Sequence, residues 1–185
     1  MLDDVTKNRI NTLRQILVGK LPDPKAQVEQ ITNGLIYKFM NDMDEQSVSL
    51  GGKASYFSGK FEKYSWKNLM NSKTSGSDRL ELYKDAIEKM YNNENLPELF
   101  REIFKNSFLP FKDPSTLNMF LKEINEFHYS NSEKLGDAYE YLLSFMGSQG
   151  DAGQFRTPRH IIDFIIEIVN PQKNETILDP ACGTS

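Results

Sequence analysis

Glu175-Thr176-Ile177-Leu178-Asp179-Pro180-Ala181-Cys182-Gly183-Thr184-Ser185 closes the chain, and its reading decides what the residues before it can be. Thr176-Ile177-Leu178 has the make-up of a short β-strand, which runs into an acidic residue and then a turn of small side chains. Where a strand ends and side chains shrink, backbone N–H groups can approach a carboxylate or phosphate closely, so the layout suits a nucleotide-like ligand. Asp179 is then placed to accept a hydrogen bond from an ammonium group, directly or through water. An ordinary glycine-bearing turn after a strand is the plainer reading of the same residues. The three spaced glycines of a dinucleotide fingerprint are absent, and so is the Gly-Lys-Ser/Thr ending of a phosphate-binding loop. Cys182 reads as a small buried spacer, since no histidine lies close in sequence to activate it. His128 and His160 have no metal-ligand spacing with any cysteine or acid cluster, so no metal site is expected.

Moving upstream, Gly153-Gln154-Phe155-Arg156-Thr157-Pro158 leads into a helix. Thr157 can cap the free N–H groups, and proline suits the first helical position. Ile161, Ile162, Phe164, Ile165, Ile168 and Val169 make the helix apolar on more than one side, as expected of one packed against a sheet. From Pro158 to Val169 it spans about 18 Å at ~1.5 Å per residue. Asn170-Pro171 ends it, residues 172–175 form a polar turn, and Thr176–Asp179 covers roughly 13 Å on the way back. Asp179 to Gly183 is therefore expected beside Thr157 and Pro158. The glycine-rich run from Gly147 to Gly153 reads as a loop over that meeting point, or as a simple linker.

Asp179 to Ser185 resembles the S-adenosylmethionine-binding first motif of amino-methylating DNA methyltransferases. Gly153 to Pro158 resembles the motif that precedes it in the permuted subgroup and holds the methionine end of the cofactor. Leu135-Gly136-Asp137-Ala138-Tyr139-Glu140-Tyr141-Leu142 and the helical region before it resemble the modification subunit of type I restriction–modification systems. Two positions depart from the commonest pattern: Arg156 stands where an aromatic residue is usual, and Ser185 where a second glycine is frequent. The resemblance implies cofactor contacts from Gln154, Phe155, Arg156, Thr157, Pro158 and Arg159, and from Asp179, Pro180, Ala181, Gly183, Thr184 and Ser185. It also implies a parent enzyme that moves a methyl group from S-adenosylmethionine to the N-6 amine of adenine. Its implied partners are a specificity subunit, a second modification subunit, a restriction subunit and, through the complex, double-stranded DNA. In that family an Asn-Pro-Pro-aromatic motif holds the extruded base; none occurs here, so no catalytic residue is assigned and the piece alone is expected to be inactive.

The rest of the chain reads as helices. Ile10, Leu13, Ile16 and Leu17 mark a first stripe, and Val28 to Met43 a second after Leu21-Pro22-Asp23-Pro24. Stripes return at Leu80–Tyr91 and at Leu96, Leu99, Phe100, Ile103 and Phe104. Asp113-Pro114 signals a further start, and Ser130 with Glu133 forms a capping box. Between Gly51 and Ser77 the period breaks. Lys53, Lys60, Lys63, Lys67 and Lys73 alternate there with Tyr56, Phe57, Phe61, Tyr64 and Trp66. Such a mixture suits an irregular connection with its rings on the core; it also suits phosphate contact with base stacking, which makes Lys60, Lys63 and Lys67 the DNA-contact candidates.

The expected fold is mainly α: a helical, bundle-like domain over 1–132, then the truncated start of an α/β Rossmann-like methyltransferase domain over 133–185. Net charge is −4, with 38% hydrophobic and 26% charged residues and one cysteine, which describes a globular protein without a disulfide framework. No stretch has the length of a transmembrane helix, and a cytoplasmic location is expected. Residues 1–132 hold 18 basic and 18 acidic residues, and 133–185 hold 4 and 8, so any DNA-facing surface must be local. The alternative from another class is a non-catalytic helical module that binds protein or DNA.

Overall fold

The computed structural model describes residues 3–128, 132–147, 157 and 159–182. Among these the helices are α1 (Asp4–Val18), α2 (Pro24–Ser49), α3 (Trp66–Leu69), α4 (Gly76–Met90), α5 (Glu98–Ile103), α6 (Pro114–Asn125), α7 (Ser132–Gly147) and α8 (Arg159–Val169). A 3-10 helix, Gly59–Tyr64, lies between α2 and α3. The chain is thus mainly helical, and no strand forms among the described residues. The strand expected at Thr176–Leu178 is a correction with a physical reason. A strand exists only by pairing with a neighbour, and here Ile177 and Leu178 stay 70% and 84% exposed.

Three helix starts use one device. Backbone N–H groups of the first turn donate to Asp3 at α1, to Asp23 at α2 and to Asp113 at α6. Proline stands just inside the cap in the latter two, so Asp113-Pro114 is the start that its sequence announced, and Asp23-Pro24 is a second.

Helix α2 is the centre of the molecule, packed against α1, α3, α6 and α7. Its apolar stripe (Val28, Ile31, Leu35, Met40) is buried, and so are Gln27, Gln30, Asn33, Lys38, Asn41 and Asp44 around it. Three of these side chains donate to the loops that flank the helix. The Gln27 amide donates to the Leu21 carbonyl at 2.7 Å, Gln30 to the Phe108 carbonyl at 3.1 Å and Asn33 to Ser107 Oγ at 3.2 Å. Gly34 marks the crossing with α6, where a Cβ would stand 3.1 Å from the Phe120 ring and 3.2 Å from Ile124 Cδ1.

Helix α7 joins the same core through Ala138 and Leu142, both fully buried, and packs on α1 and α2. Arg14 of α1 lies 3.7 Å over the Phe145 ring, and the Asn11 amide donates to Tyr141 Oη at 3.2 Å. The capping box expected from Ser130 and Glu133 lies outside what is described. In the other stripes Leu99 and Tyr91 turn out to water, at 73% and 38% exposure.

Candidate functional site

The C-terminal stretch builds a sequence of turns. Helix α8 runs from Arg159 to Val169 among the described residues, and what stops it is Asn170 as well as the following proline. Asn170 has φ +46° and its N–H donates to the Ile166 carbonyl at 2.8 Å, a left-handed C-terminal cap. The polar turn expected at 172–175 forms: the Glu175 N–H donates to the Gln172 carbonyl at 3.1 Å, and the Gln172 N–H to Glu175 Oε2 at 2.9 Å, with Asn174 at φ +82°. Then the Ala181 N–H donates to Asp179 Oδ1 at 2.9 Å across Pro180, which closes an Asx turn. That bond fixes the carboxylate against the turn and leaves Oδ2 outside it.

Asp179, Pro180 and Ala181 are all exposed, as is Thr157. Cys182, expected to be a buried spacer, is exposed instead, because little of the described apolar surface lies over the small-residue turn. Of the other proposed cofactor contacts, Gln154, Phe155, Arg156, Pro158, Gly183, Thr184 and Ser185 lie outside the described residues. Arg159 is described only as the first residue of α8. Of the loop expected from Gly147 to Gly153, residues 148–153 also lie outside the described residues.

The lysine segment resolves differently. Its rings go inward: Phe57, Phe61, Tyr64 and Trp66 are at most 4% exposed. Tyr37 of α2 collects them, stacked with Phe57 at 5.4 Å and Tyr83 at 5.9 Å, and edge-on to Trp66 at 5.8 Å. Burying such a ring contributes about 1.5–3 kcal/mol, and an aromatic pair about 0.5–1.5 more. Stacking on a base returns only about 1–3 kcal/mol, so these four rings stay in the core, while Tyr56 is half-buried against it. The segment is also less irregular than its sequence suggested, since a 3-10 helix and α3 form within it. Lys53, Lys60, Lys63, Lys67 and Lys73 all remain exposed.

What holds the segment was not visible in the sequence. Asp44 of α2 receives the N–H groups of Ser55 at 2.7 Å and Tyr56 at 3.0 Å on Oδ1, and that of Phe57 at 2.7 Å on Oδ2. The Trp66 N–H donates to Asn41 Oδ1 at 2.9 Å, its indole N–H donates to Asn125 Oδ1 at 2.8 Å, and the Tyr37 hydroxyl donates to the Tyr64 carbonyl. A polar residue on a helix reads as solvent-facing unless the loop it serves is known.

Residues 130–185 match the N-6 DNA methylase family. The chain is 30% identical over 135 residues to the type I restriction enzyme EcoEI methylase subunit of Escherichia coli, a match covering 66% of this chain and 28% of that one. It is 29% identical over 132 residues to the StySJI methylase subunit of Salmonella typhimurium, covering 67% and 24%. The MjaVIII methylase subunit of Methanocaldococcus jannaschii is 27% identical over 176 residues, covering 89% of this chain and 27% of its own. No solved structure matches the chain. Residues 130–185 thus resemble the N-6 DNA methylase family, and the chain is similar to the methylase subunits of type I restriction enzymes, spanning about a quarter of their length.

Proposed function

We propose that this chain is part of a type I methylase subunit whose parent complex transfers a methyl group from S-adenosylmethionine to the N-6 amine of adenine in DNA. The family match over 130–185, which takes in both candidate cofactor stretches, carries this reading. The Asx turn at Asp179 fits the cofactor: a carboxylate clamped on one oxygen and open on the other is preorganised to accept from the ammonium of the methionine moiety. Thr157-Pro158, the start signal that the sequence sets just before α8 (Arg159–Val169), would supply the complementary end, since the N–H groups of a helix's first turn favour an anion such as the methionine carboxylate. Gln154, Phe155, Arg156, Arg159, Pro180, Ala181, Gly183, Thr184 and Ser185 complete this half of the site. When bound, the cofactor supplies the electrophilic methyl group; the residues here bind and orient, and none of them activates the adenine.

A family match that begins at residue 130 supports a division of the chain near residue 132. Residues 1–132 form the helical domain and 133–185 the start of a Rossmann-like unit, with α7 as the element that seats the second on the first. The apolar, exposed α8 and Ile177-Leu178 are the surfaces that a sheet would cover. The specificity subunit, a second methylase subunit and the restriction subunit complete the assembly.

The reading is tested on the full methylase subunit in its complex, by following labelled methyl from S-adenosylmethionine into adenine. Asp179→Ala is expected to weaken cofactor binding at least tenfold, the worth of one charged hydrogen bond of about 1.5–3 kcal/mol. An assembled complex that methylates no adenine, or an Asp179→Ala subunit with undiminished cofactor affinity, would sink it. The 185-residue chain alone is expected to bind the cofactor far more weakly than the parent, as calorimetry would show.

A further inference from the structure

We propose that the segment from Lys53 to Lys73 is a docking surface for the phosphate backbone of duplex DNA, indifferent to base sequence. The proposal rests on DNA being the parent's substrate, and its evidence is separate from the cofactor site. Over these 21 positions stand five lysines and a single acid, Glu62, in a region whose overall charge balances. All five lysines are exposed. Lys53, Lys60, Lys67 and Lys73 form no ion pair among the described residues, and Lys63 reaches Asp85 only at 3.9 Å. Lys89 and Tyr64 already occupy that Asp85, and Glu94, Glu98 and Glu102 share a cleft with Lys60 and Arg101.

The scaffold beneath is fixed rather than floppy. Asp44 holds three successive N–H groups, Asn41 and Asn125 hold Trp66, and the Asn93 amide donates to the Tyr56 carbonyl at 2.9 Å. Arg79 donates to the Leu69 carbonyl at 2.9 Å and the Asn71 carbonyl at 2.9 Å, which anchors the far end. Lys60 and Lys63 sit three apart on a 3-10 helix, so their side chains leave on one side, about 6 Å apart along its axis. Two nucleotide steps of one DNA strand advance about 7 Å along the duplex. A rigid row of point charges at that spacing, with Phe57, Phe61, Tyr64 and Trp66 committed to the core, suits phosphates, whose contacts carry no base sequence.

The test uses the 185-residue chain and labelled DNA, with fluorescence anisotropy between about 50 and about 200 mM salt. The affinity for a duplex is expected to fall with salt and to be the same for unrelated sequences. K60Q/K63Q/K67Q should reduce the slope of log affinity against log salt by about 3, close to one unit for each lysine. K25Q/K112Q/K122Q, exposed lysines elsewhere with the same loss of charge, should leave the slope unchanged. Equal losses in the two triple variants would mean bulk charge only and would sink the local surface. Undiminished duplex binding by K60Q/K63Q/K67Q, no binding by the unaltered chain at the lowest salt, or a preference for single strands over duplex would each overturn the proposal. Circular dichroism of each variant separates these results from unfolding. Failure here leaves the methyl-transfer assay of the parent complex untouched, and the reverse also holds.

Discussion

Asp44 is 5% exposed, and three consecutive backbone N–H groups donate to its two oxygens. Asp44→Ala would leave those donors in a poorly hydrated place without an acceptor, each costing about 1–3 kcal/mol. The expected loss is about 3 kcal/mol in urea unfolding, and Asp44→Asn, which keeps one acceptor oxygen, should lose less. A variant within a few tenths of a kcal/mol of the parent chain would show that the segment 55–57 is held by its rings alone. Lys38 and Asp42, one turn apart on α2, form a different kind of buried contact, at 6% and 14% side-chain exposure. Burial pushes the Asp42 carboxyl above its usual range more than Lys38 lowers it; Glu45 on the same helix adds to the rise and His128 beside it opposes. The native state therefore holds the Asp42 proton more tightly than the unfolded chain does. This group's contribution to stability then falls as pH climbs from the ordinary carboxylate range through the raised native value. Asp42→Leu alone should cost about 3 kcal/mol by stranding the Lys38 charge, whereas Lys38→Met with Asp42→Leu should come within about 1 kcal/mol of the parent and lose that pH slope. Denaturation of the three chains across the acid range reads both effects.

At the scale of the element, the crossing of α2 and α6 is set by Gly34. Glycine inside a helix normally costs about 1 kcal/mol relative to alanine, so its presence here needs a reason, and the Phe120 ring supplies one. Gly34→Leu would have to push α6 away and is expected to destabilise by about 2–3 kcal/mol. An unchanged urea midpoint in the Gly34→Leu variant would mean that α6 yields freely. The elements also show how far the sequence could be read. Asp113-Pro114 announced α6 because cap and proline act within three residues, and the α2 stripe was legible because burial repeats with the helical period. The 3-10 helix and α3 were not, because what places them are Tyr37, Asn41 and Asp44, some 11 to 27 positions upstream on another helix. The candidate site divides the same way. The Asx turn at Asp179 is local chemistry, but a pocket is a meeting of distant segments, and the apolar residues of Thr176–Leu178 and α8 do not by their own pattern name the segment that should cover them.

For the whole molecule, the chain consists of a well-buried helical core and a C-terminal stretch that adds little to it. Helix α7 belongs to the interior: Ala138 and Leu142 are fully buried, and Phe145 carries Arg14. Helix α8 leaves Phe164, Ile165, Ile168 and Val169 at least 50% exposed, so its apolar face contributes little to folding and invites self-association. If α7 is the seat on which the methylase segment rests, the two must separate in experiment. Residues 1–147 alone should unfold cooperatively at the urea midpoint of the full chain, and bind less of a dye that reports exposed apolar surface. Residues 1–131 should unfold earlier, by about 3 kcal/mol or more, because removing Leu142 and its neighbours uncovers α1 and α2. Loss of stability on removing 148–185 would instead mean that α8 packs on the core. Full stability without α7 would mean that the helical domain is complete before it, with the methylase segment joined only through the chain.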